Sequence, residues 1–330
     1  MTTRSYSLHH LNLKVRGDQA VLNALDARLG RFPAGKTSAA ADLVFEFHKF
    51  TKLNAHALQL PAGTGRPVLD PGSGRVIYFD GTQQLYIEIS GRGQAICDTK
   101  SHQVHICYPE EGLADPWVLS HPFFTISLSE MLKRLGLYAV HAAGLAVGDQ
   151  GVLIAGHSGA GKTTFALALV RAGFDFLADD TVFLSPRKTG MQVLAFPDEV
   201  DITAQTREFF PELHDLRGVS KPNARRKQAI CPTNVYDVRP CWECTPAVIL
   251  FPQPGKAERS VITALPKAEA LLQLVCNVVR TEPRSSQAHL DALAALVKDC
   301  RCYRVQTGRD FDHLPDMVRS LLMQPEPALA

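Results

Sequence analysis

Eight consecutive residues constrain this chain more than anything else in it: Gly156-His157-Ser158-Gly159-Ala160-Gly161-Lys162-Thr163, a complete G-x-x-x-x-G-K-[ST]. Each position has a physical reason. The glycines let the backbone fold back so that successive N–H groups face one concavity and cradle phosphate oxygens. A helix opening near Gly161 adds its positive end to the same point. Lys162 then reaches the β and γ phosphates, and the Thr163 hydroxyl suits Mg²⁺. The apolar run Val152-Leu153-Ile154-Ala155 precedes the loop and the amphipathic stretch Phe165 to Val170 follows it, so the strand–loop–helix context is present. The nucleotide-binding set expected is Gly156, His157, Ser158, Gly159, Ala160, Gly161, Lys162, Thr163 and Thr164.

Around this loop the second half alternates strands and helices, which points to an α/β layer structure. Strands are expected at Tyr138 to Val147, Gly151 to Ala155, Phe174 to Leu177, Ala247 to Phe251 and Tyr303 to Val305. Helices are expected at Thr125 to Leu135, Phe165 to Ala172, Lys267 to Val278, Gln287 to Val297 and Leu314 to Leu322. The first half reads as β-rich. Ser7 to Val15 alternates like one strand, Gln19 to Leu29 has a helical period, and Leu43 to Phe47 suits a strand. A meander runs from Arg75 to Tyr108 with turns at Asp80-Gly81 and Gly91-Arg92-Gly93. Pro61 to Gly74, with its prolines and glycines, reads as a loop. The division expected is a β-rich α+β domain over 1–120, a P-loop domain over 121–324 and a tail over 325–330.

Composition narrows the function classes. Hydrophobic residues make up 45% and charged residues 21%, an ordinary globular balance. The formal charge of +2, from 35 basic and 33 acidic side chains, offers no case for nucleic acid. No apolar stretch approaches the roughly 20 residues needed to span a bilayer, and Met1 to Arg16 has no secretory h-region. A cytoplasmic protein without membrane partners is expected. The eight cysteines include one CxxC, Cys241-Trp242-Glu243-Cys244, without the second tight pair of a structural zinc site. Ordinary reduced thiols are the expectation.

Two features beside the loop carry chemistry. Ala178-Asp179-Asp180 ends the strand after the loop helix, where an acidic residue commonly serves the metal. Two adjacent carboxylates allow one to serve the metal and the other to act as general base on an incoming hydroxyl. The same pair before Thr181 also suits a turn or helix cap. His141, in His141-Ala142-Ala143-Gly144, lies in an apolar run; it reads equally as a core residue or as one with space beside it for a phosphate. Lys221 and Arg225-Arg226-Lys227 offer charge for a developing phosphoryl group, although such a run is commonly a solvated loop.

The block from His141 to Asp180 resembles the catalytic core of the HPr kinase/phosphorylase superfamily: a histidine fifteen residues before the first loop glycine, then GxSGxGK[ST], a helix, and an Ala-Asp-Asp strand end. The fold this implies is α/β, a P-loop kinase core of the HPr kinase/phosphoenolpyruvate carboxykinase type, with a smaller β-rich N-terminal domain. The resemblance also implies an ATP- and Mg²⁺-dependent phosphotransferase. In it Asp180 takes the proton from a serine-like hydroxyl, Lys162 and Thr163 serve phosphates and metal, and His141 and Asp179 complete the catalytic group. Thr163, Asp179 and Glu199 form the expected metal set, Glu199 being chosen from Asp198, Glu199 and Asp201 as the downstream ligand. The N-terminal block does not resemble that of the bifunctional enzyme, so the divergent HPr-kinase-related proteins, some of which phosphorylate a serine on a small peptide, are the better match. Expected partners are therefore a nucleoside triphosphate and a peptide, protein or small-molecule hydroxyl acceptor, with room for a homo-oligomer. Two other readings stay open: a regulatory nucleotide-binding module without phosphotransfer, and a small-molecule kinase.

Overall fold

The computed structural model describes residues 1–32, 40–50, 58–70, 74–110, 119–196, 198–214, 219–220, 227–276 and 278–324. They form two compact units. The first comprises Met1–Leu137 with Val279–His289, the second Tyr138–Val278 with Leu290–Ala330. The division thus falls after Leu137 rather than after residue 120, and a late segment returns to the first unit.

The first unit is built on one eight-stranded sheet. Its elements are β1 (Thr2–Leu8), β2 (Leu11–Gly17), α1 (Gln19–Leu29), β3 (Leu43–Phe50), β4 (Gly65–Leu69), β5 (Gly74–Phe79), β6 (Gln84–Ile89), β7 (Gly93–Asp98), β8 (Gln103–Pro109) and α2 (Phe124–Arg134). The strand order is β1-β2-β3-β8-β7-β6-β5-β4. Alternation sets the faces: in β3, Leu43, Phe45 and Phe47 are buried while Val44, Glu46 and His48 face outward. The α1 helix forms where the 3.6-residue spacing of Val21, Leu22, Leu25 and Leu29 meets a cap, the Asp18 carboxylate accepting from the Val21 amide at 2.9 Å.

Two sequence expectations change here. Ser7 to Val15 is not one strand but the hairpin β1–β2, which turns at His9, held in the left-handed region at φ 56°. Within Pro61 to Gly74, residues 65–69 are the edge strand β4, paired with β5. Pro67 is tolerated there because an edge strand has a side that needs no ladder hydrogen bond.

The second unit comprises β9 (Tyr138–Val147), β10 (Gln150–Ala155), α3 (Lys162–Arg171), β11 (Asp175–Ala178), β12 (Thr181–Arg187), β13 (Gly190–Leu194), β14 (Val200–Thr203), β15 (Val219–Ser220), β16 (Lys227–Ile230), β17 (Glu243–Pro254), β18 (Val261–Ala264), α4 (Lys267–Val275), α5 (Pro283–Asp299), β19 (Arg301–Thr307) and α6 (Leu314–Met323). The first residues of α5 belong to the other unit. The main sheet runs β10-β9-β12-β13-β17-β19-β18, and a further pairing of β10 with β17 closes a five-strand circuit. β17 is parallel to both β10 and β19, whereas β9 is antiparallel to β10, β11 and β12. A separate sheet, β14-β16-β15, lies in the same unit. Phe165, Leu169 and Val170 of α3 are buried in a core with Val152, Ile154, Val248, Leu250, Val305 and Leu314.

All eight cysteines are free. Cys244 is buried against Gly151, where an added Cβ would meet its Sγ at 2.6 Å, and Cys241 donates to the Glu243 carbonyl at 3.2 Å. Among the described residues no helix is long and apolar enough to cross a membrane.

Candidate active site

Three strand ends bring the polar groups together. Ala155, the last residue of β10, pairs with Ala142 of β9. Gly156 therefore leaves the sheet one residue further on, beside His141. On the other side of β9, Thr181 pairs with His141, so Asp179 and Asp180 arrive at the same level. His141 thus stands on the middle strand, between the start of the loop and the acidic pair.

The loop conformation depends on its glycines. Gly159 and Gly161 have φ of 84° and 88°, a left-handed geometry with open space where a Cβ would lie. Gly161 caps α3 without any side-chain bond to the first turn, leaving the helix's leading amides to other partners. His157, Ser158 and Gly159 are exposed, whereas Ala160 is buried.

Lys162 is 8% exposed, and its ammonium donates to the Gly156 and His157 carbonyls at 3.0 and 3.3 Å and to His141 Nε2 at 3.0 Å. His141 Nδ1 lies 3.0 Å from the Asp180 carbonyl and 3.1 Å from Asp180 Oδ1. An ammonium can only donate and these oxygens can only accept, so the contacts assign the lone pair to Nε2 and the proton to Nδ1. A polar relay from Lys162 through His141 to Asp180 results.

The two aspartates sit in opposite environments. Asp179 is 7% exposed; Thr163 Oγ1 donates to its Oδ2 at 3.0 Å, while Oδ1 is buried with no hydrogen-bond partner among the described residues. Burial, with the charges of Asp180 and Asp201 adding, pushes its pKa up to about 7 against the Thr163 hydrogen bond and Lys162. For Asp180, crowding acts to raise the pKa. Its side chain nevertheless retains 69% of its accessible surface, and His141 and Lys162 prevail, holding it below the usual carboxylate range.

Not every expected residue joins this cluster in the same way. Thr164 Oγ1 meets Thr206 Oγ1 at 3.2 Å, and Thr206 is bound in turn to Thr203 at the end of β14, a chain that sequence reading did not anticipate because no motif marks either threonine. Glu199 precedes β14, its amide bonded to Asp198 at 2.9 Å. Among the downstream acids, the charge of Asp201 acts on Asp179 and that of Asp198 on Asp180. Ala142 and Ala143 are fully buried, and Val182 Cγ1 and Leu177 Cβ occupy the place of a Gly144 side chain. Lys221 and Arg225-Arg226 lie outside the described residues, as does the side chain of Lys227.

An α/β unit whose polar groups converge on one strand–loop–helix is the class that fold and site define. Residues 135–201 match the family HPr Serine kinase C-terminal domain. The HPr kinase/phosphorylase of Mycoplasmopsis pulmonis is 39% identical over 72 residues, covering 19% of this chain and 23% of that protein. The chain thus spans about a quarter of the length of that curated relative. The structure of the Hpr(Ser) kinase/phosphatase from Coxiella burnetii aligns at 13% identity and a TM-score of 0.30, over 56% of this chain and 93% of that one, too distant a likeness to argue from. Residues 135–201 are thus similar to the HPr serine kinase C-terminal domain, and from Tyr138 on they lie within a unit of α/β fold.

Proposed function

We propose that this chain is an ATP-dependent kinase that transfers the γ-phosphoryl group to a serine-like hydroxyl of a peptide, protein or small molecule, with Asp180 as general base. The observation that supports it most is the pairing of an exposed, readily ionised Asp180 with a buried Lys162 through His141. Base and phosphate-binding cation are then held in one hydrogen-bonded chain, as in-line phosphoryl transfer needs.

In this reading the loop amides from Gly156 to Thr163 and the start of α3 hold the phosphates, and Thr164 anchors the helix to β14 through Thr206. Lys162 exchanges the Gly156 and His157 carbonyls for β and γ phosphate oxygens. The acceptor hydroxyl attacks the γ phosphorus as its proton passes to an Asp180 carboxylate oxygen. The bond to the β–γ bridging oxygen breaks, and the electron pair leaves on ADP. His141 keeps Asp180 oriented through Nδ1 and Lys162 placed through Nε2. Thr163 and Asp179 are the oxygen donors for Mg²⁺, which the buried, unpartnered Asp179 Oδ1 fits. When bound, the ion neutralises charge on the β and γ phosphates. Asp201, whose charge acts on Asp179, stands beside Glu199 as a candidate for the downstream acidic role.

The test is transfer of labelled γ phosphate from Mg·ATP into a lysate of the source cells, comparing the native chain with Asp180→Asn. Loss of a labelled acceptor by about 10²–10⁴-fold with unchanged nucleotide affinity is expected for removal of a general base. Undiminished labelling by Asp180→Asn would exclude it as the base. Tight Mg·ATP binding with no labelling by the native chain would favour a regulatory nucleotide-binding module.

A further inference from the structure

A second group of chemistry-bearing side chains lies in the first unit, on the outward face of its sheet. Glu46 and His48 are two residues apart on β3 and so share a face. His105 stands directly opposite Glu46 on the parallel neighbour β8. The ligand atoms of all three lie within 4.8 Å of one another. Glu46 Oε2 is 3.4 Å from His105 Nδ1 and 3.6 Å from His48 Nε2. Those separations are long for N–H···O hydrogen bonds, which cluster near 2.9–3.0 Å. They match instead the roughly 3.3 Å edge between two ligands held about 2.05 Å from one tetrahedral metal ion.

The surroundings support the same arrangement. The rings of His48 and His105 stack with centroids 5.9 Å apart, and each brings a nitrogen toward Glu46 Oε2. Arg16, on β2, places Nη1 2.5 Å from Glu46 Oε1, which fixes the carboxylate and leaves Oε2 turned to the histidines. Outer partners that orient a metal-binding carboxylate are a regular part of such sites. The three side chains are partly exposed, at 19% for Glu46, 39% for His48 and 36% for His105, so an ion has a route in and a coordination position left for water. The sheet beneath is packed on its other side: Phe45, Phe47, Val104 and Ile106, on the opposite face of the same two strands, are buried to 1% exposure or less.

We infer that Glu46, His48 and His105 bind a divalent first-row transition-metal ion, of which Zn²⁺ is the natural probe. Two imidazoles and one carboxylate suit such an ion and disfavour Mg²⁺ or Ca²⁺, which prefer oxygen-only sets. This site stands apart from the kinase reading and does not depend on it.

The experiment is calorimetric titration of the whole protein with Zn²⁺ after chelator treatment, repeated on His105→Ala and Glu46→Gln whose far-UV circular dichroism matches the native chain. The expected result is uptake at this site weakened at least about tenfold in each variant, no less than the loss of an outer orienting group costs. Copper-loaded native protein, examined by pulsed EPR, needs no variant and is expected to show two coordinated imidazoles. Zinc uptake unchanged in both variants, no uptake by the native chain, or copper without paired imidazoles would each overturn the assignment.

Discussion

Asp179 and Asp180 are neighbours in sequence, yet one is buried and the other open, and the difference can be measured. Because burial raises Asp179 to about 7, the unfolded chain releases that proton first as pH rises. Stability from this group is therefore present below about pH 4 and lost progressively up to about pH 7, when no cation is bound. Asp179→Asn lacks this dependence. It is expected to match the native chain near pH 4 and exceed it above pH 7, by an amount on the order of a few kcal/mol. Chemical denaturation with chelator present, at a series of pH values, would show the gap; a constant difference across pH would sink the argument. Sequence spacing was enough to single out this pair, as well as Lys162 and Thr163, because the loop motif acts through contiguous backbone. Which aspartate is buried was not legible, since it depends on where Thr163 and Asp201 arrive from other elements.

Elements supply what local patterns cannot. The strands β14, β16 and β18 went unread because their pairings are long-range, and nothing in a window of ten residues records them. The local hairpin β12–β13, which turns between Arg187 and Gly190, and the two-residue β15 went unread as well. His141 is the clearest case: only the register of β9 with β10 and β12 shows why it meets both Lys162 and Asp180. Glycine also misleads when read as punctuation. Gly65 lies inside a paired strand, where a Cβ would come within 2.5 Å of Ile77 Cγ2 and 2.8 Å of the Phe79 ring. Gly144 has the same role at the site, its missing side chain replaced by Val182 Cγ1 at 2.8 Å and Leu177 Cβ at 3.3 Å. Gly144→Ala is expected to cost about 1–3 kcal/mol, the usual range for overpacking. It should also reduce phosphotransfer by shifting β9 against β12. Thermal unfolding beside the γ-phosphate assay would check both, and full stability with full activity would refute the packing role.

On the scale of the whole molecule, the first unit is discontinuous, and its late segment is tied in by buried charge. Glu130 on α2 is 3% exposed; it pairs with Lys133 and Arg134 at 2.8 Å and accepts from Thr281 Oγ1 at 2.8 and 3.0 Å. Arg134 also reaches Glu282 at 3.2 Å, and Lys133 donates to the Val279 carbonyl at 3.0 Å. Removing one member leaves buried charges uncompensated, so Glu130→Ala is expected to destabilise this unit by about 3–5 kcal/mol. A urea midpoint that does not move would contradict it. The same arrangement bears on how the protein is made. A ribosome that has released Leu137 must still add 142 residues, from 138 to 279, before the closing segment begins to appear. At about 5–20 residues per second that interval is roughly 7 to 28 s. During that time the nascent N-terminal sheet waits with Glu130, Lys133 and Arg134 unsealed, a natural interval for chaperones to engage it.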